Sequence, residues 1–347
     1  MRTGFISQAA ICGHTYVNKL FARAVDEPYI LCTQGVKHQD TSEWENFDNV
    51  DFIQESLFEL PHDVVLNWVK ENKLDAVFFN EIEDWELVKK VREECKTIGY
   101  FVSDRVPERT ENRYIENFDA ILFCNEGAYE SFAAFKNTHF LNWGVEPELF
   151  VKRDPQYFFT HSAGWGGVAD RKCTPEVVRA LSKVKEGAIL YTQKCVYDGE
   201  TTKRIRKMRT EGRLKVVYGN CERGDVNLFG EVYLGISRHE GLGLYLPEAL
   251  AAGLPIITTD APPMNQFVKH GETGLLVKVK ESYYREGFSF PAYEPDFKDF
   301  LKQVKYAINN KEEMKKMGKN AYKFAKENYS YEKFKENFNN ILETVVS

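Results

Sequence analysis

Two doubly wound α/β domains are what this sequence predicts, and three observations carry the prediction. Short apolar runs rich in Val, Ile, Phe and Tyr alternate with amphipathic stretches of about 10 to 15 residues, the pattern of repeated βαβ units on a parallel sheet. That pattern pauses once, around residues 142–155, where Gly144, Pro147 and Pro155 gather among charges, and then restarts. The chain has 347 residues, more than one hydrophobic core usually grows to hold.

In the first half the candidate strands are Thr3–Ser7, Tyr29–Thr33, Val50–Gln54, Asp75–Asn80, Gly99–Ser103 and Asp119–Cys124. Helical periodicity lies between them, near His14–Ala24, His62–Lys73, Trp85–Thr97 and Glu126–Lys136. The second half supplies strands at Tyr157–Ser162, Ala188–Thr192, Leu214–Gly219, Glu231–Ser237 and Pro255–Asp260. From Glu294 onward the periodicity is helical, through Phe297–Asn310, Lys311–Asn328 and Tyr331–Val346. The expected domains are therefore 1–150 and 151–310, followed by C-terminal helices over 311–347. Open α/β sheets bind ligands outside the carboxyl ends of their strands, so two such domains facing a cleft would put the site there.

An apolar fraction of 43% and a charged fraction of 28% are those of an ordinary folded protein, which excludes a disordered or collagenous chain. No basic segment followed by an apolar run opens the sequence, and no run approaches the roughly 18 residues of a membrane span, so no membrane span and a cytoplasmic location are expected. Seven scattered cysteines with no C-x-x-C pair argue against a disulfide framework or a zinc site. Charge divides the chain. Residues 1–150 carry 14 Lys/Arg against 27 Asp/Glu, and the remainder 32 against 25. A phosphate-bearing ligand thus belongs on the second half, and the acidic first half disfavours nucleic acid.

The stretch from Ser237 to Pro255, Ser-Arg-His-Glu-Gly-Leu-Gly-Leu-Tyr-Leu-Pro-Glu-Ala-Leu-Ala-Ala-Gly-Leu-Pro, follows a predicted strand. Glu240 stands at the strand's exit, the glycines let backbone approach a ligand, and a helix starting near Leu244–Pro247 turns free N–H groups and a positive dipole end toward it. An anion site with two carboxylates beside it suits a nucleotide sugar. The diphosphate takes the helix end, while Glu240 and Glu248 accept hydrogen bonds from sugar and ribose hydroxyls.

This spacing, with Ala-Leu-Ala-Ala-Gly-Leu-Pro-Ile-Ile-Thr-Thr-Asp behind it, resembles the E-x7-E signature of the retaining GT-B glycosyltransferases of the group 1, family-4 type. The turn Gly271-Glu272-Thr273-Gly274-Leu275-Leu276-Val277 resembles the closing turn and strand of the same family. The resemblance implies the GT-B fold, with two Rossmann-like domains and a C-terminal helical segment packing back across the junction. It also implies that Glu240 meets the donor sugar, that the backbone of Gly241, Leu242, Gly243 and Leu244 holds sugar and diphosphate, and that Glu248 binds ribose. Where the family often has a Glu after the T-D turn, this chain has Ala261-Pro262-Pro263-Met264-Asn265-Gln266, and no carboxylate is assigned there.

A second element, Gly164-Trp165-Gly166-Gly167-Val168-Ala169-Asp170-Arg171-Lys172, sits between the first strand of the second domain and a helix near Pro175. The resemblance makes Gly166 a donor-binding glycine, and makes Arg171 and Lys172 the cations that neutralise the departing diphosphate. Adjacent side chains generally point apart, which leaves Lys194 as a substitute for one of them. A nicotinamide reading of the same glycines fails, because the end of the next strand, Tyr191-Thr192-Gln193, lacks the acid that takes a ribose diol. No D-x-D pair ends a strand, so neither a metal nor another cofactor is expected. Trp165, Tyr245 and Met264 are pocket or core residues.

On the acceptor side the resemblance points to His14, in the Gly13-His14 loop after the first strand, and position at strand ends adds Glu81 beside Asn80 and Asp104 between Ser103 and Arg105. The basic run Lys203–Arg209 carries Ile205 and Met208 at helical spacing and reads as a solvated helix face. The predicted activity is transfer of a sugar from a nucleotide-sugar donor to a glycan, lipid-linked or small-molecule acceptor. The alternatives are transfer to modified DNA bases and a non-catalytic sugar-nucleotide-binding protein.

Overall fold

The structure is a computed structural model that describes residues 1–10, 12–35, 39–57, 59–102, 115–151, 153–164, 171–193, 197–219, 221, 224–285 and 290–347. Two units emerge: Met1–Gly144 together with Tyr331–Ser347, and Val145–Ser330.

The first unit is built on strands β1 (Arg2–Gln8), β2 (Glu27–Thr33), β3 (Val50–Ile53), β4 (Ala76–Asn80), β5 (Lys96–Tyr100), β6 (Ala120–Phe123) and β7 (Thr138–Phe140). They pair in parallel in the order β3-β2-β1-β4-β5-β6-β7. Helices α1 (Gly13–Ala24), α2 (His62–Asn72), α3 (Trp85–Arg92) and α4 (Glu126–Phe132) connect them. Every residue of β4, Ala-Val-Phe-Phe-Asn, is buried, as expected of a strand covered on both faces. Asp84 and Asn125 cap α3 and α4 by accepting from the N–H groups of Leu87 and Ala128. The chain returns to this unit as α10 (Tyr331–Val346), whose Phe334 and Phe338 lie 5.0 and 4.8 Å from the Phe21 ring of α1.

The second unit repeats the plan with β8 (Tyr157–Gly164), β9 (Ala188–Thr192), β10 (Leu214–Tyr218), β11 (Gly230–Gly235), β12 (Ile256–Thr259) and β13 (Gly274–Val277). These strands are also parallel, in the order β10-β9-β8-β11-β12-β13. Its helices are α5 (Thr174–Leu181), α6 (Gly199–Thr210), α7 (Tyr245–Ala251), α8 (Phe297–Asn309) and α9 (Lys311–Asn328). An antiparallel hairpin, β14 (Val279–Tyr283) with β15 (Ala292–Pro295), is inserted between β13 and α8. Strand order reverses between β1 and β4 in one unit and between β8 and β11 in the other, and such switch points are where open sheets of this class bind ligands.

The predicted class is therefore the observed one, with local corrections. The helix expected over Trp85–Thr97 stops at Arg92, and the strand expected at Gly99–Ser103 runs instead from Lys96 to Tyr100. Parallel pairing of Lys96–Tyr100 with Ala76–Asn80 overrides the helical pattern at that point. The helix expected to reach Lys136 ends at Phe132. Strand β7 escaped prediction because three residues show no period. The hairpin escaped because its first strand, Val-Lys-Glu-Ser-Tyr, is mostly exposed and has no apolar run. The basic run does form a helix face, α6, with Ile205 and Met208 buried.

Candidate active site

At the switch point of the second unit, Glu240 follows β11 and Arg171 and Lys172 precede α5. Glu240 is 4% exposed. Its Oε1 accepts a hydrogen bond from Ser237 Oγ at 2.6 Å and one from Lys172 Nζ at 2.5 Å, while Arg171 Nη2 stands 3.8 Å from Oε2. Both cations expected from adjacent positions thus turn toward the same carboxylate. Burial alone would raise the Glu240 pKa, but the charges of Lys172 and Arg171, with the bonds from Lys172 and Ser237, bring it below the usual carboxylate range. Glu240 is therefore an anion at neutral pH.

The carboxylate is framed by aromatic and threonine side chains. Lys172 Nζ lies 3.7 Å above the centre of the Tyr245 ring, a cation–π contact that adds to its ion pair. Tyr245 stacks on Tyr233 at 5.4 Å and donates its hydroxyl to the Gly235 carbonyl at 2.9 Å. Ser237 is held by Thr259, whose hydroxyl donates to the Ser237 carbonyl at 2.7 Å and accepts from its N–H at 3.1 Å. Behind it, His161 donates from Nδ1 to the Leu234 carbonyl at 2.7 Å, and its Nε2 accepts from Thr174 at 3.0 Å, joining β8, β11 and α5. Burial lowers its pKa to about 4, so this imidazole is neutral.

Gly243 adopts φ +76°, a conformation that side chains resist, and a Cβ there would sit 3.1 Å from Leu246. This turn starts α7, a helix of seven residues carrying Glu248, which is 9% exposed. Helix α7 is placed by a close approach to α9, where a Cβ on Gly318 would fall 2.5 Å from the Gly253 carbonyl oxygen. Gly241 and Leu242 are buried, Leu244 half-buried, and Met264 fully buried in the core. Gly166, Trp165 and Lys194 lie outside the described residues.

Arg238, just before Glu240, has no role that the spacing of the motif reveals. Arg238 donates to Glu294 at 2.7 and 3.1 Å and to Glu176 at 2.9 Å, and its N–H bonds to the Arg171 carbonyl at 2.9 Å. It ties the Glu240 loop to α5 and to β15. Nothing in the sequence pairs an Arg with carboxylates 62 and 56 positions away, so only the fold could show this.

In the first unit, a pocket of about 700 Å³ opens at the carboxyl ends of β1 and β4, with Gln8, His14, Asn80 and Glu81 among its lining residues. His14 and Glu81 are thus brought together, while Asp104 lies outside the described residues. Asn18 Nδ2, which can only donate, lies 3.2 Å from His14 Nδ1, so Nε2 carries the proton and donates to the Asn80 carbonyl at 3.2 Å. Burial lowers the His14 pKa to about 4 against the opposing pull of the Asn80 carbonyl. Both nitrogens of this neutral ring are hydrogen-bonded within the unit. Glu81 has φ +55°, a strained conformation for a residue with a side chain, and its N–H bonds to the Tyr100 carbonyl at 3.0 Å.

The two-sheet plan is that of the GT-B glycosyltransferase structures. The chain resembles the Anabaena protein HepE crystallised with UDP and glucose, at 13% identity and a TM-score of 0.76, covering 99% of this chain and 100% of that one. It also resembles a glycosyltransferase from Rickettsia africae, at 11% identity and a TM-score of 0.79, covering 100% of this chain and 98% of that one. Residues 217–324, which include Glu240 and Glu248, match the family model of glycosyl transferases group 1. Among curated relatives, the GtfA subunit of the Streptococcus parasanguinis UDP-N-acetylglucosamine–peptide N-acetylglucosaminyltransferase is 36% identical over 118 residues, 34% of this chain and 21% of that protein. The match spans only about a fifth of that relative's length.

Proposed function

We propose that this protein is a retaining glycosyltransferase whose second unit holds a nucleotide-diphosphate sugar and whose first unit holds a hydroxyl acceptor: a glycan, a lipid-linked sugar or a small molecule. The observation that carries the reading is the buried Glu240 anion with Lys172 and Arg171 beside it at the β8/β11 switch point. Lys172 and Ser237 occupy Oε1, and Oε2 is the oxygen that a sugar hydroxyl would reach. In this reading Glu248 accepts from the ribose. Arg171 and Lys172 take up the charge of the leaving diphosphate, the role a metal ion plays in other transferases. The acceptor oxygen attacks the anomeric carbon from the face the diphosphate leaves, the carbon–oxygen bond to phosphate breaks, and a phosphate oxygen accepts the acceptor's proton. No protein base is needed, which agrees with both His14 and His161 being committed to packing bonds. We place the reaction in the cytoplasm, in keeping with the free thiols of Cys32, Cys124 and Cys173. Among the described residues no helix is long and apolar enough to cross a membrane.

The test is a thermal-shift panel of UDP-, GDP-, ADP-, TDP- and CMP-sugars on the wild type and on Glu248→Ala. One diphosphate sugar should raise the wild-type midpoint and leave that of the variant unmoved, since a ligand that binds only the folded state stabilises it. Equal shifts in both proteins, or none from any donor at millimolar concentration, would sink the reading.

A further inference from the structure

A polar cavity of about 700 Å³ lies against α8 of the second unit, and Lys298, Lys302 and Lys305 line it from the helix. The turn at His270 and Gly271, with Leu275 of β13, forms its other wall. That turn precedes β13, at the amino ends of parallel strands, whereas Glu240 follows the carboxyl end of β11. The wall and Glu240 therefore stand at opposite ends of one sheet. Hydrogen bonds fix the turn. The Gly271 N–H donates to the Gly274 carbonyl at 2.8 Å, and the Lys269 N–H donates to the Thr273 hydroxyl at 2.9 Å. His270 Nδ1 accepts from the Leu276 N–H at 2.9 Å, which leaves Nε2 to donate.

Among the described residues no Asp or Glu lines this cavity, and Lys302 and Lys305 enter no ion pair. The acids close by in sequence are turned to other work: Asp296 caps α8 by accepting from the Lys298 and Asp299 N–H groups, and Asp299 accepts from the Lys278 N–H at 2.9 Å. Glu313 accepts the hydroxyl of Tyr306, another lining residue. The three lysines recur at i, i+4 and i+7, along about 10 Å of helix. That spread exceeds one phosphate and suits an anion whose charges are distributed along a chain. Gln303 and Asn309 add amides that both donate and accept, as hydroxyl groups require. Tyr306, 37% exposed, offers a flat apolar ring face. A bilayer surface is met instead by exposed apolar anchors, whereas Leu275 is buried and Leu301 half-buried. We propose that this cavity is a subsite for an acidic, carboxylate-bearing oligosaccharide, held by Lys302 and Lys305 away from Glu240. That such a glycan is the acceptor or product of transfer rests on the glycosyltransferase reading; its binding here does not.

Calorimetric titration of tetragalacturonate and of neutral maltotetraose tests this on the wild type and two double variants, Lys302→Gln with Lys305→Gln and Lys302→Arg with Lys305→Arg. Thermal midpoints check folding. The wild type should bind the acidic tetramer at least about tenfold more tightly than the neutral one, and the double Gln variant should lose about tenfold or more, as removal of charge-assisted contacts does. The double Arg variant keeps the charge and should keep most of the affinity. No binding of tetragalacturonate by the wild type, equal affinity for both tetramers, or equal affinity in the wild type and the double Gln variant overturns the inference. Co-sedimentation with phosphatidylglycerol vesicles that requires Lys302 and Lys305, without binding of tetragalacturonate, also overturns it and makes the face a lipid contact. A thermal shift caused by a nucleotide sugar in the wild type should persist in the double Gln variant, so failure here leaves the donor reading standing. Tetragalacturonate binding that depends on the two lysines, with no nucleotide sugar shifting the wild type, supports the inference and sinks the donor reading.

Discussion

The two switch points share a topology and one device, and differ in everything else. At each, a neutral histidine ties neighbouring elements together: His14 joins α1 to the end of β4, and His161 joins β8 to β11 and α5. Around His161 stand a buried carboxylate and its cations. Around His14 stands a pocket with Glu81, Glu83, Asp84 and Glu86 in its lining and, among the described residues, no Lys or Arg in it. The fold thus supplies two similar edges, and loop residues decide the charge each one carries. This restates, in three dimensions, the opposite charge of the two halves of the chain.

The largest expected effect breaks the comparison at its charged side. Glu240→Gln keeps the shape but leaves Lys172 and Arg171 facing a neutral amide, and sugar transfer should fall about a hundredfold or more. Glu81→Gln should cost less than about tenfold, because a rim contact contributes less than a charge meeting the reacting group. Steady-state rates of the two variants side by side decide it, and equal losses would show that the two edges do not differ as described.

A smaller effect probes the shared device. A histidine buried in its neutral form contributes stability above its unfolded pKa near 6.5, and that contribution is lost as pH falls through this value toward about 4. For His161 the loss amounts to about 3 kcal/mol across the window. Urea unfolding at pH 7 and pH 4 should show this fall in the wild type, and His161→Asn should have a flatter profile. An unchanged profile would mean that His161 is not the titrating group.

The smallest effect belongs to the first unit. Glu81→Gly relieves the left-handed backbone at φ +55° and should raise unfolding free energy by about 1 kcal/mol. Acceptor turnover measured on the same variant shows whether the strain is retained for function, since a gain in stability with unaltered turnover would make Glu81 a structural accident.

Much of the fold was legible because parallel strands covered on both faces read as apolar runs, as in Ala76–Asn80 and Ile256–Thr259. Elements without that signal were not legible, namely the three residues of β7 and the exposed β14. The Glu240 to Glu248 spacing could be read because one turn of chain sets both carboxylates in place. Arg238 could not, since its partners Glu176 and Glu294 lie 62 and 56 positions away along the sequence. Helix α9 stays with the second unit while α10 joins the first, a division made at Ser330 that periodicity could not show.

By itself the sequence determined the α/β class, the two-part organisation, the charge asymmetry and the motif that carries the group 1 resemblance, because each is a local property of spacing or composition. Only the tertiary structure decided that Arg171 and Lys172 both reach Glu240, that His14 is committed to its neighbours, and that a hairpin lies beside the site. These are matters of which side chains share desolvated space: burial opposes the charge on Glu240, and the adjacent Lys172 and Arg171 overcome that opposition and hold it as an anion.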